Sequence, residues 1–169
     1  MSHIPAPFDS ITYKRNLLAF IVAKLAAEAA MLTEAALATH AEATDEENKA
    51  EDKYDTRGLE ASYLAIGQSK AAEEAAQAVA QFTALPVRAF AVGEPISLGA
   101  FVVLGESEAA YYFIGPRAGG TEVECTGRSV MVITPQSPLG RQLMGRRQGD
   151  TLQLDLGGKR IKQLVAQVS

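Results

Sequence analysis

Apolar residues recur at helical spacing over the first half of the chain. Between Thr12 and about Ala43 nearly every residue is a strong helix former, and the apolar positions alternate by four and three residues. This spacing predicts a helix with a coiled-coil seam about three heptads long. The seam positions are Leu18, Val22, Leu25, Ala29, Leu32 and Ala36.

A second helical stretch is predicted from about Asp45 to Phe82. Its apolar surface is expected to run through Leu59, Tyr63 and Ile66 and to continue, after a shift of phase, through Ala72, Ala75, Val79 and Phe82. Two long helices joined by few residues should form an antiparallel coiled-coil hairpin.

Capping chemistry places the turn of this hairpin. Thr44 followed by Glu47 has the pattern of a capping box, which predicts the start of the second helix there and a chain reversal near His40 to Ala43. Gly58 lies further along and costs about 1 kcal/mol relative to Ala inside a helix, so an irregularity is expected near 55–58.

The pattern changes after Pro86, where short apolar runs alternate with Gly and Pro. Gly157-Gly158 between two such runs predicts a tight hairpin, and Ser137-Pro138 predicts a capped helix from Pro138 to Arg146. Most of the strands are expected to pair in antiparallel fashion. The predicted strands are Arg88 to Val92, Ala100 to Leu104, Ala110 to Ile114, Ser129 to Ile133, Leu152 to Leu156 and Lys159 to Val165.

Composition divides the chain at the same place. Residues 1–84 carry 22 of the alanines and a net charge of -6, whereas residues 85–169 carry 12 of the 14 glycines and a net charge of +2. We therefore expect an α+β protein in which residues 1–84 form a helical hairpin and residues 85–169 form a β-rich domain.

Composition also excludes several classes of site. One cysteine cannot form an internal disulfide, and with His3 and His40 it cannot supply a structural zinc site of four cysteines or of two cysteines and two histidines. No signal peptide is visible, and no stretch approaches the roughly 18 apolar residues of a membrane span. We expect a cytoplasmic protein with no membrane partner.

The densest charge lies between Glu42 and Asp55, where seven carboxylates face two lysines. One interpretation is a solvated helix start, because carboxylates there favour the helix dipole. The other is a set of oxygen ligands carried at the tip of a hairpin, because Mg²⁺ takes carboxylate oxygens and shares its site with other ligands.

Other candidate residues have ordinary structural interpretations. The segment Gly115 to Gly120 lacks the ending of a phosphate-binding loop and is predicted to be a loop between strands. Cys125 has no histidine near it in the sequence and is expected to be a packed, unreactive thiol. Arg141, Arg146 and Arg147 form a positive cluster that fits either a solvated surface or a partner-binding one.

The segment from Ser137 to Asp150 resembles the Ser-Pro-Leu-Gly...Leu-Gly...Gly-Asp signature of bacterial Gre transcript cleavage factors. Tyr112 to Pro116 and the order of the two halves agree with that resemblance. It implies an FKBP-like C-terminal domain that docks on RNA polymerase, and a hairpin that enters the secondary channel. The candidate docking residues are Pro138, Leu139, Gly140 and Arg141.

The resemblance also implies a role for the hairpin tip. Tip acids of the family help to hold a Mg²⁺ at the polymerase active site and stimulate hydrolysis of backtracked RNA by the polymerase, so nascent RNA is contacted within that complex alone. The resemblance therefore implies that this chain has no enzymatic activity and no cofactor of its own, and that it shares the Mg²⁺ of the polymerase. The family motif resembles Asp-x-x-Glu-Asn-Ala-Glu-Tyr; Glu47-Asn48 match it, and Thr44 occupies the Asp position unless Asp45 substitutes. The candidate acids are Asp45, Glu46 and Glu47.

Three functions remain open at this point. The first is a cleavage-stimulating factor, and the second is a regulator or inhibitor of the same architecture that occupies the secondary channel without cleavage. The third is a prolyl isomerase or chaperone, which rests on analogy of fold alone. A monomer is expected, because the short connection between the helices favours intramolecular pairing.

Overall fold

The computed structural model describes residues 10–44, 56–156 and 158–169, and it has α+β architecture, as predicted. Two long helices come first, and six strands with one short helix follow. The elements are α1 (Ser10–Thr44), α2 (Arg57–Thr83), β1 (Phe101–Leu104), β2 (Ala110–Ile114), β3 (Glu122–Cys125), β4 (Arg128–Ile133), α3 (Pro138–Leu143), β5 (Thr151–Leu156) and β6 (Lys159–Val168).

The chain packs as two compact units. One unit contains the chain up to Ile21 together with Gln81–Ser169, and the other contains Val22–Ala80. The first unit thus includes the beginning of α1, the end of α2 and all of the strands. The boundary predicted at residue 84 separates the two long helices from the β-rich sequence. That residues 1–84 and 85–169 form two separate domains stays a prediction.

In the second unit, α1 and α2 run antiparallel. The last turns of α1, at His40 and Thr44, line one groove together with the early α2 residues Ser62 and Ala65. The predicted seam of α1 is confirmed, since all six of its positions are buried or half-buried. Helices in this arrangement are stabilised by the apolar surface that they cover on each other.

The seam of α2 differs from the prediction for its first half. Leu59, Tyr63 and Ile66 are 56%, 67% and 66% exposed, and alanines are buried in their place. One unbroken alternation of three and four residues joins eight buried or half-buried positions, with no shift of phase. These positions are Gly58, Ala61, Ala65, Gln68, Ala72, Ala75, Val79 and Phe82, and half-buried Ala71 and buried Ala78 lie beside them.

The reversal predicted near His40 to Ala43 is wrong, because α1 is helical through Thr44. The Thr44 hydroxyl donates to the His40 carbonyl oxygen at 3.0 Å, as a residue at the end of a preceding helix does. Instead, Thr56 precedes α2: its carbonyl accepts from the Glu60 amide at 2.9 Å and its hydroxyl lies 3.3 Å from the Glu60 carboxylate. The irregularity predicted at 55–58 is where α2 begins.

The six strands form one mixed sheet in the order β3-β4-β2-β1-β6-β5. Four neighbouring pairs are antiparallel, and β2 and β4 are parallel, with Tyr111 opposite Val130. The strand predicted at Arg88 to Val92 is wrong, because those residues lie outside every strand. Strand β3 was not predicted, although exposed Glu122 and Glu124 alternate with buried Val123 and Cys125.

The predicted β5–β6 hairpin is confirmed, with Leu156 opposite Lys159. The Gly158 amide donates to the Asp155 carboxylate at 3.0 Å, and the φ angle of Gly158 is +81°, which a primed turn requires. The predicted third helix is confirmed, but it ends at Leu143 rather than Arg146.

The first unit has a buried core in which Phe82, near the end of α2, is completely covered. Its ring lies against Gly115, where an added Cβ would be 2.6 Å from Phe82 Cζ and 2.8 Å from Val132 Cγ1. Tyr13 of α1 packs edge-on against Phe101, with ring centroids 5.1 Å apart. The start of α1 and the end of α2 are therefore both fixed against the sheet.

The expectation that no stretch is long and apolar enough for a membrane span is wrong for α1. The part of α1 from Ser10 to Glu42 includes an apolar window with mean hydropathy 1.5, so by length and composition alone it is long and apolar enough to cross a membrane. Alanines contribute to this hydropathy together with the larger apolar residues. Length and composition are weak evidence for a span, since helices of soluble proteins pass the same test.

Lys14 is a charged residue in the core of the first unit, 1% exposed. Its ammonium nitrogen lies 4.6 Å from the centre of the Phe90 ring, and it has no hydrogen-bond partner among the described residues. Burial, with a smaller contribution from Arg88, lowers the pKa of Lys14 to about 8. The cation–π contact with Phe90 offsets part of the desolvation.

We expect Gly115→Ala to destabilise the first unit, because the new methyl group overlaps Phe82 and Val132. The expected loss in the free energy of unfolding is roughly 2 kcal/mol, measured by urea denaturation. Gly67→Ala is the matched control: nothing lies within 4 Å of its Cβ position in α2, and it should stabilise by up to about 1 kcal/mol. Equal stabilities for the two variants would contradict the described packing.

We expect Lys14→Met to stabilise the protein at neutral pH by about 1–2 kcal/mol, because it removes the cost of burying a cation. The pKa is lowered on folding, so in the wild type the unfolded state binds more protons and stability should rise with pH from about 8 towards 10.5. The variant should lose this rise, and exposed Lys70→Met should keep it. Chemical denaturation from pH 7 to 10.5 measures both slopes; a rise retained in Lys14→Met would contradict the assignment.

Candidate functional site

The candidate tip acids Asp45, Glu46 and Glu47 lie outside the described residues. Glu42, the first carboxylate of the acidic run, is exposed near the end of α1. The other six carboxylates of the run fall in sequence between Thr44, the last residue of α1, and Thr56, which precedes α2.

The structure assigns different roles to the four candidate docking residues. Gly140 is buried, and a Cβ at its position would overlap the carbonyl oxygen of Thr134. Leu139 is half-buried against the core. Pro138 and Arg141 are exposed. Two of the four are accessible to a partner, and the other two hold α3 in place.

Helix α3 is built by local capping. The Ser137 hydroxyl accepts from the Gly140 amide at 3.0 Å and donates to the Thr134 carbonyl at 2.8 Å, and Pro138 occupies the first turn. A proline there loses no intrahelical hydrogen bond. The Ser-Pro-x-Gly pattern thus has a structural role: it starts a short helix and packs that helix against the segment before it.

The loop after α3 contacts a tight turn at 91–94. The Ile96 amide donates to the Arg146 carbonyl at 2.7 Å, and the Gly145 amide donates to the Ile96 carbonyl at 2.9 Å. The Arg147 guanidinium donates to the Gly93 carbonyl, while its backbone amide donates to the Asp150 carboxylate at 2.8 Å. Arg146 and Arg147 are both exposed.

The turn itself comprises Ala91, Val92, Gly93 and Glu94. The Glu94 amide donates to the Ala91 carbonyl, and the Ala91 amide donates to the Glu94 carboxylate, both at 2.9 Å. Arg88 forms an ion pair with Glu94 at 2.6 Å. The Ala91 amide, followed by the Arg88 guanidinium, holds the pKa of the Glu94 carboxyl below its usual range.

Sequence reasoning missed this turn, because it assigned Arg88 to Val92 to a strand. The available signal was Val92-Gly93, since glycine supplies the positive φ that the third position of a type II turn requires. Gly93 has φ of +78°.

Cys125 is packed, as predicted, at 1% exposure. Burial raises the pKa of its thiol, and burial likewise raises the pKa of the Tyr13 hydroxyl. The Arg128 guanidinium lies 5.3 Å from the centre of the Tyr111 ring. A thiol with a raised pKa is a poor nucleophile. We therefore assign a packing role, not a catalytic one, to Cys125 and its neighbours Tyr13 and Arg128.

The groove between the helices of the second unit has a volume of about 470 Å³. Its lining includes His40, Ser69, Lys70 and Glu73, with Ile66 at its edge. Among the described residues, no group of three or more His, Cys, Asp or Glu side chains is placed to hold a metal ion.

No family model and no curated protein sequence matches this chain. Solved structures of GreA factor homolog 1 (Gfh1) are similar to it. The Thermus thermophilus protein is 21% identical, with a TM-score of 0.36, and the match covers 88% of this chain and 94% of the Gfh1 chain. The Thermus aquaticus protein has 21% identity, 86% and 91% coverage and a TM-score of 0.39. Another Gfh1 structure has 24% identity, 87% and 92% coverage and a TM-score of 0.38. At these values the likeness carries no argument about function.

We expect Gly140→Ala to lower the free energy of unfolding by roughly 2 kcal/mol or more, because its methyl group overlaps Thr134. Arg141→Ala, one residue along the same helix and exposed, should change it by less than about 0.5 kcal/mol. Urea denaturation of both variants separates the structural residue from the accessible one. A Gly140→Ala protein as stable as the wild type would show that the site is looser than described.

Proposed function

We propose that this chain is a Gre-like cytoplasmic transcription factor that binds RNA polymerase, enters its secondary channel with the α1–α2 pair and stimulates cleavage of backtracked RNA. The observation that carries the proposal is the Ser137–Asp150 segment, which resembles the Gre signature and forms the capped helix α3 with an exposed Pro138 and Arg141.

The helix pair supports the same proposal. Its described parts end at Thr44 and begin again at Thr56, so the acid-rich segment is carried between the two helices. A close-packed alanine seam gives a slender pair of helices, which suits entry into a channel.

The chain needs no enzymatic activity of its own for this role. Asp45, Glu46 and Glu47 offer carboxylate oxygens, the donor type that Mg²⁺ prefers. These acids would supplement the ligands of a Mg²⁺ held by the polymerase, and such an ion stabilises the attacking and leaving oxygens of a phosphodiester hydrolysis.

A second candidate function is a channel-occupying regulator without cleavage. It is favoured by the departure of the tip from the family motif, since Thr44 stands at the Asp position and forms the end of α1. Both candidates require polymerase binding, and they differ in the fate of the transcript.

We expect Asp45→Asn and Glu47→Gln each to reduce transcript cleavage at least about tenfold while leaving polymerase affinity unchanged, because each removes one charged metal ligand. The assay uses purified core RNA polymerase on a backtracked complex with labelled RNA, together with a direct binding titration. Glu74→Gln, an exposed carboxylate on α2, is the matched control and should retain full cleavage.

Two results for the wild-type protein would contradict one or both candidates. Wild-type protein that binds polymerase but never shortens the RNA would overturn the cleavage role and leave the channel regulator. Wild-type protein that does not bind polymerase would overturn both.

A further inference from the structure

The turn at 91–94 presents an apolar side chain directly to solvent. Val92 is 103% exposed, the highest value among the large hydrophobic residues described. A single exposed valine is ordinary on a protein surface, so exposure alone indicates nothing. The way in which this valine is held is what distinguishes it.

The turn is fixed from both ends and from a distant part of the chain. Ala91 and Glu94 exchange two hydrogen bonds, Arg88 pairs with Glu94, and Arg147 reaches Gly93 across 54 positions of sequence. A segment held in this way loses little conformational entropy when a partner covers it.

Arginines outnumber carboxylates near the turn: Arg88, Arg146 and Arg147 lie there together with Glu94 and Asp150. The hydrogen bonds of Ile96 with Gly145 and Arg146 place the exposed loop 145–147 beside it. Arg88 is neutralised by Glu94, but within the described residues Arg146 has no acidic partner for its side chain. The Lys14 ammonium adds a buried positive charge beneath Phe90.

We propose that Val92 and Arg146 form the centre of a docking surface for a protein partner that presents carboxylates around an apolar pocket. Charge complementarity favours such a partner: the surface is positive, while the chain as a whole carries -4. An exposed valine at the apex gains by entering an apolar pocket and gains nothing from phosphates. The inference rests on the proposed function, so the partner is RNA polymerase, and it adds a second contact region to Pro138 and Arg141.

Val92→Asp tests the apolar contact and Arg146→Glu tests the charge. The partner is purified core RNA polymerase, titrated at two or more salt concentrations. We expect each variant to bind about tenfold more weakly at low salt, with a shallower salt dependence for Arg146→Glu. Val92→Ala should bind with an intermediate affinity.

Two controls isolate the surface. Ser107→Asp adds the same charge at another exposed position, between β1 and β2, and Lys162→Glu reverses an exposed charge on β6. Both should bind like the wild type. Urea denaturation should give the same midpoint for Val92→Asp and Arg146→Glu as for the wild type, since neither side chain has a described packing role.

The outcomes separate the two proposals. If wild type and variants bind polymerase equally, the docking surface is wrong and the proposed function stands. If the wild type does not bind polymerase, both are wrong. If Arg146→Glu weakens binding to a 20-nucleotide single-stranded RNA and not to polymerase, the surface binds nucleic acid and the protein-docking inference is overturned.

Discussion

The contact between Phe82 and Gly115 determines how the end of α2 meets the sheet. The ring occupies the space that a Cβ of residue 115 would need, and it is completely buried there. Because β2 ends at Ile114, any side chain at 115 would push the helix away from the strand edge. Tyr13 makes the corresponding contact from α1, on Phe101. The glycine of the Tyr112 to Pro116 segment, Gly115, is therefore explained by packing between helix and sheet.

Periodicity predicted most of the fold, and it failed where residue size was taken as a guide to burial. The α1 seam and five of the six strands were predicted because large or β-branched residues mark them, and the third helix was predicted from its capping residues. Helix α2 buries Ala65 and Ala72 and exposes Leu59 and Tyr63, so the prediction that large side chains are buried selected the wrong face. Strand β3 was lost for the related reason that two glutamates occupy its outer face.

The candidate site likewise has parts that the sequence predicted and parts that it did not. Sequence identified α3, because its capping signals are local, and the structure then separated buried Gly140 from exposed Arg141. The way in which the 91–94 turn is held could not be predicted from the sequence, since one of its hydrogen bonds comes from Arg147, far along the chain. Long-range hydrogen bonds leave no periodic mark on a sequence. The acids between Thr44 and Thr56 remain defined by sequence alone.

The alanine seam of α2 also bears on local opening of the helix pair. Each alanine buries one methyl group, so the free energy that holds the two helices together per turn is far below that of a leucine seam. The first unit buries large side chains such as Phe82, Phe101 and Leu17. Amide hydrogens of the described helical residues 22–44 and 57–80 should therefore exchange with solvent through partial opening well before those of the sheet, which gives two distinct levels of protection.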